Sequence, residues 1–289
     1  MDKEYFAGLR QGRVLDLSAR SGMNGLYVVV SQSCDVVQSK RDFIQLAPVV
    51  QLDDGDARRS AVKRENPRFP MLAEAEGGLF ADLARIVSVE KIHVQGAQER
   101  GDLVLKDAMA EREFGLAIGR WFSRFALPDE VQPWLAPVQD LIRSKHDNPG
   151  SPLGKVLQQV AEVRVEAVRW DESPFTLTLH VIAKSGTVPT VPEDADLVSA
   201  GSVPRDLNAI CEEIEVEAEP IRRALLWSAF AEALAGRCKL KPKFASKPEV
   251  RDAVASVVGE LSSDDEFSLA RVRRSEQLDV DFLSDPVPY

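Results

Sequence analysis

Basic residues are in deficit, cysteines are few and odd in number, and no apolar run is long. Lys and Arg number 36 against 46 Asp and Glu, a formal charge of −10. No global field therefore draws the chain to a phosphate backbone, and nucleic-acid contact needs a local basic patch. Cys34, Cys211 and Cys238 are widely spaced, which argues against a disulfide framework and for reduced thiols in a cytoplasmic protein. Neither the cysteines nor the three histidines pair at C-x2-C or H-x3-H spacing, so no metal site is expected and no cofactor is implied. Nothing approaches the roughly 18 consecutive apolar residues of a membrane span. "MDKEYFAGLRQG" lacks the apolar centre of a secretory signal. A GxxxxGK[ST] loop and a GxSxG elbow are both missing, which sets aside P-loop nucleotide chemistry and the ordinary α/β hydrolases. With 289 residues and 44% hydrophobic content, the expectation is a soluble, folded, intracellular chain of one large or two ordinary domains.

The first third reads as β. "RVLDL" (13–17), "GLYVVVS" (25–31) and "DFIQLAPVV" (42–50) are short β-branched runs separated by turn residues. "GLFADLARIVSVEK" (78–91) alternates through Leu83, Arg85, Val87 and Val89, as a strand does. The polar "DDGDARRSAVKRENPRFP" between them reads as an inserted loop or short helix. From Asp107 the period changes: Phe114, Ala117, Ile118, Trp121 and Phe125 recur at three and four residues, an amphipathic helix that Pro128 ends. "SKHDNPGSPLG" (144–154) marks a boundary. "EVRVEAVRW" and "FTLTLHVIA" form a β-hairpin around "DESP", and a Pro/Gly/Ser-rich linker follows over 185–203. "IRRALLWSAFAEALAG" reads as a helix begun at Pro220 and ended at Gly236. Ser246 and Glu249 have the spacing of a capping box opening another helix, and 266–283 reads as strand or helix, with strand preferred. The expected fold is α+β: an N-terminal β-barrel over 1–105, a helical connector over 106–147, and an α/β C-terminal region over 148–289 with a hairpin and two longer helices.

"QGRVLDLS", "GLYVVVSQ", "IQLAPVV", "RFPML" and "GGLFADLARIVSVEK" together resemble the strand succession of the PemK/MazF family of small SH3-like barrel toxins. Asp82, Arg85 and Lys91 fall in matching places, and the resemblance covers roughly residues 10–95. It implies an SH3-like barrel and a prokaryotic stress, toxin–antitoxin or phage-defence setting. The family's ribonucleases use an Arg before the Val-rich strand and a Thr or Ser at the end of the Pro-containing strand. Those positions read Gly25 and Val50 here, and neither side chain can move a proton. The resemblance therefore implies a non-catalytic or divergent module that binds nucleic acid or a protein partner.

Candidate site residues follow from the same stretches. Cys34 and Asp35, beside Ser31 at the end of the Val-rich strand, line either a binding face or a turn. Catalysis by Cys34 requires a base such as His93, and a cysteine-dependent hydrolase is one alternative. A metal-independent endoribonuclease with relocated groups, drawn from Asp35, Asp82, Arg85 and His93, is another. Arg58 and Arg59, with Lys63, Arg64 and Arg68, offer RNA or DNA a phosphate-binding stretch, partly offset by neighbouring acids. Arg120 and Arg124 share a helical face beside Trp121, Phe122 and Phe125. They read as a cationic-aromatic surface or as a helix whose aromatics are core. Helix 221–236 is either a core helix or an association surface for a protein partner or a second copy; a membrane partner is not expected.

Overall fold

The computed structural model describes residues 3–20, 22–64, 66–73, 78–103, 105, 107–123, 127–146, 148–192 and 201–278. Both helices and strands are present, as an α+β chain requires, in two compact units within residues 1–123 and 124–285. The division falls inside the segment read as a helical connector. Among the described residues, no helix is long and apolar enough to cross a membrane.

The first unit runs α1 (Lys3–Gly8), β1 (Val14–Asp16), β2 (Leu26–Val29), α2 (Ser33–Val37), β3 (Phe43–Val50), α3 (Gly55–Val62), β4 (Met71–Ala73), β5 (Leu79–Ala81), β6 (Val87–Glu90), α4 (Lys91–Val94), β7 (Gln98–Glu99) and α5 (Ala108–Ser123). Its strands follow the path β4-β5-β3-β2-β1-β7, with β6 also on β3. The ends of that path, β4 and β7, are not joined among the described residues, so the pairing gives an open sheet. β3 is the pivot: Ala47 faces Val28 of β2, Ile44 faces Val89 of β6, and Val49 faces Ala81 of β5. The stretch 83–89 is not one alternating strand. A 3-10 turn, Leu83–Arg85, separates β5 from β6, because the Asp82 carboxylate caps it by accepting from the Ala84 N–H at 3.2 Å. A local side-chain acceptor competes here with the ladder.

The unbroken Val28–Val30 run is explained by burial on both faces of the sheet. Val14, Val28, Val30 and Ala47 pack with Phe114 and Ile118 of α5. Leu15, Val29, Ile44 and Leu46 pack instead with Phe6 of α1, Val36 of α2 and Val94 of α4. Period-two alternation sends neighbours to opposite cores, and both cores are apolar.

The second unit runs α6 (Gln132–Lys145), α7 (Pro152–Leu157), β8 (Val160–Ala167), β9 (Phe175–Ala183), α8 (Leu207–Val216), α9 (Pro220–Ala235), α10 (Pro248–Arg251), β10 (Val254–Ser263), α11 (Leu269–Arg274) and β11 (Ser275–Gln277). The expected hairpin is β8–β9, antiparallel with Val165 opposite Leu179. The sheet order is β10-β9-β8-β11, with β10 parallel to β9. A parallel neighbour demands a crossover, and α8 and α9 lie along it. Trp227, Phe230, Ala231 and Leu234 of α9 are buried against Val163, Val165, Leu177, Leu179 and Val181. Helix 221–236 is thus built into the core of this unit.

Two local readings are corrected. Lys247, not Ser246, stands at the N-cap of α10, no side chain caps it, and the helix lasts four residues. The chain then enters the ten-residue strand β10, whose alternation Gly259 interrupts. A Cβ at Gly259 would stand 2.2 Å from the Ala231 carbonyl oxygen, so only glycine permits α9 to lie this close to the strand. Segment 266–283 contains both structures proposed for it, α11 followed by β11, and residues 279–283 lie outside the described residues.

Candidate binding groove

The stretch Ser31–Gln38, read as a turn leaving a strand, holds the short helix α2. Two ties fix its start: the Gln11 N–H donates to Ser33 Oγ at 3.1 Å, and the Gln45 N–H donates to Ser31 Oγ at 2.8 Å. Its end is held by Lys91. This side chain is buried, and its Nζ donates to the carbonyls of Asp35, Val36 and Gln38 at 3.2, 2.7 and 2.9 Å. Unpaired carbonyls at a helix C-terminus attract a cation. Burial pulls the Lys91 pKa below its usual value, while Asp35 and Asp42 oppose that shift.

Fixed in this way, α2 forms one wall of a groove of about 990 Å³. Ser31, Gln32 and Asp35 line that wall, Phe43 and Gln45 of β3 with Ser88 of β6 line the floor, and α5 supplies Glu111, Arg112, Leu116 and Phe122. Lys40, Arg41 and Asp42 close one end. The charged lining is balanced: Asp35, Asp42 and Glu111 against Lys40, Arg41 and Arg112. Arg41 stands 3.6 Å from Asp35. Phe43, Leu116 and Phe122 are 56, 44 and 63% exposed, and a rim of large apolar side chains among mixed charges is the composition of a docking surface.

The other candidate residues are not gathered there. Asp82 is buried and receives Arg68 in a bidentate pair, Nε at 2.7 Å and Nη2 at 2.9 Å, with Arg85 at 4.0 Å. The hydrogen bond from Arg68 holds the Asp82 carboxyl below its usual range despite burial. Its geometry is that of a structural acid. Arg85 is exposed beside it. Cys34 is exposed, and its Sγ donates to the Gln32 side-chain oxygen at 3.7 Å. His93 Nε2 stands 3.9 Å from a Glu90 carboxylate oxygen. No hydrogen bond or ion pair joins Cys34 to His93, so the pair needed for thiol activation is not assembled. Gly25, before β2, has φ of +103°, a conformation that side-chain-bearing residues rarely adopt.

Three residues of the basic stretch are paired with acids. Arg59 pairs with Asp56, Arg64 with Glu113 at 3.0 Å, and Arg68 with Asp82. Arg58, Arg59 and Lys63 flank a small apolar recess beside Val62. Arg120 is half-buried on α5, and Arg124 lies outside the described residues. Ser31, Asp35 and the Phe122 of the expected cationic-aromatic surface are therefore the residues singled out in the sequence that reach the groove. Lys40, Arg41, Phe43, Arg112 and Leu116 were not legible as lining, because strand order brings them together over long sequence separations. Among the described residues, no group of His, Cys, Asp and Glu is arranged to hold a metal ion.

No protein-family model, no curated protein and no solved structure matches this chain.

Proposed function

We propose that the N-terminal unit is a non-catalytic binding module of the SH3-like, PemK/MazF-like kind, acting in the prokaryotic cytoplasm, and that its groove takes a segment of a partner protein. The observation that carries this reading is the groove lining: three acids against three bases, with Phe43, Leu116 and Phe122 exposed at the rim. A nucleic-acid site needs net positive charge along the path of the backbone, whereas an apolar anchor among balanced charges suits an extended peptide. Pairing of Arg59, Arg64 and Arg68 with Asp56, Glu113 and Asp82 supports the same choice. The test is a random-peptide display selection on the full chain, counter-selected against a Phe43→Asp/Phe122→Asp variant. Peptides with an apolar anchor flanked by charges are expected. Failure to enrich any peptide dependent on these two residues overturns the reading. So does metal-independent cleavage of mixed RNA by the purified protein that Arg85→Ala abolishes.

A further inference from the structure

The second unit's sheet has one face in the core and one polar face. Alternation along β8 and β9 puts Glu162, Arg164 and Glu166 beside Thr176, Thr178 and His180, and the parallel register adds Glu260 and Ser262 of β10. At its centre, His180 is 2% exposed. Its Nε2 stands 3.0 Å from Glu166, and its Nδ1 makes no hydrogen bond among the described residues and stands 3.5 Å from the Glu260 carboxylate. His180 thus sits between two carboxylates, Glu166 and Glu260, at the centre of an acidic patch.

α11 lies over this face, and the contacts of its own side chains with the sheet are made by charged groups. Arg271 reaches Glu260 at 2.8 Å and Ser262 at 3.0 Å, and Arg274 reaches Glu166 at 3.2 Å. Arg164 ties the exit of the helix, donating to the Val272 carbonyl and to Ser275. Phe267 lies edge-on to His180 with ring centroids 5.3 Å apart. The apolar residues of α11 do not hold it down: Leu269 is 64% and Val272 38% exposed. Both flanks are pinned independently, by the Asp264 N–H on the Ala183 carbonyl before it and by buried Leu278 after it. Lifting α11 therefore costs ion pairs that salt screens and leaves the core intact.

We propose that this acidic face is a recognition surface for arginine-bearing protein segments, that α11 is its occupant within the same chain, and that a partner segment with arginines at Arg271/Arg274 spacing replaces it. Charge complementarity names the occupant: two arginines three residues apart on one helical turn meet Glu260 of β10 and Glu166 of β8, the carboxylates that flank His180 from the strands on either side.

Two measurements on the full chain decide this. In the wild type, amides of 269–274 are expected to exchange with deuterium about tenfold faster at about 1 M than at about 50 mM NaCl, while those of β9 do not change. A labelled peptide of residues 266–277 is expected to bind Arg271→Glu/Arg274→Glu at least about tenfold more tightly than wild type, because the face is then vacated. Adding Glu166→Gln/Glu260→Gln should abolish that binding. Salt-independent exchange over 269–274, or equal peptide affinity for wild type and the arginine variant, overturns the proposal.

Discussion

Asp82 and Arg68 form the pair on which the structural reassignment of a candidate site residue rests, and the two partners should not be equivalent. The Asp82 side chain is 3% exposed and Arg68 is 41% exposed. Arg68→Met leaves a buried carboxylate with no cation nearer than Arg85 at 4.0 Å. Breaking a buried pair from this side costs about 3–5 kcal/mol, and Arg85 places the expectation at the low end, about 3 kcal/mol. Asp82→Asn removes the charge but keeps an oxygen for the Ala84 N–H, and the half-exposed guanidinium turns to water. Its cost should be about 1 kcal/mol. Acid separates them further. The Asp82 carboxyl titrates below its ordinary 3.8 in the folded protein, so its stabilisation is complete above that value and is lost as pH falls through the folded pKa. The gap between wild type and Arg68→Met should therefore be widest near pH 7 and close only as pH falls through the lowered Asp82 pKa, below its ordinary 3.8. Hydrogen exchange of peptides from β3 and β5 reads the stability of this unit directly. An Asp82→Asn cost equal to that of Arg68→Met, or a gap that persists in acid, refutes the reasoning.

Three further outcomes are expected. Gly259→Ala forces a methyl within 2.2 Å of the Ala231 carbonyl oxygen and should destabilise the second unit by about 1–3 kcal/mol, read by urea unfolding followed by tryptophan fluorescence. Of the three thiols, Cys34 is exposed while Cys211 and Cys238 are buried, with pKa values pushed up to about 12 by burial. Thiol titration should accordingly find one reactive group in the native protein and three after denaturation; a second native thiol contradicts the buried placement. Lys91→Met removes the donor to three carbonyls and should speed exchange of the α2 amides about tenfold or more while β2 is unaffected, since about 1.4 kcal/mol of local stability is a factor of ten.

The sequence carried the elements whose pattern is local. The β8–β9 hairpin shows as alternation, α9 as an apolar run between Pro220 and Gly236, and α5 as apolar residues at three- and four-residue spacing. β10 escaped because Gly259 and serines weaken its period, and that glycine is explained only by a helix distant in sequence. The 83–85 turn escaped because a capping carboxylate overrides alternation. Ser31 and Asp35 lie where the Val-rich strand ends and do reach a groove. Its other lining residues come from Lys40 to Phe122 and meet only through the order of strands. The face around His180 was visible in principle, since "EVRVEA" and "TLTLH" both alternate polar with apolar. What alternation alone does not reveal is that β10 and α11 close over it.

The central claim, a groove that binds a protein segment, is tested most directly by an amide chemical-shift titration of the full chain with a selected peptide. The account predicts shifts confined to residues 31–45, Ser88 and 111–122, abolished in Phe122→Asp. Saturable binding whose shifts fall elsewhere, or that survives Phe122→Asp unchanged, contradicts it.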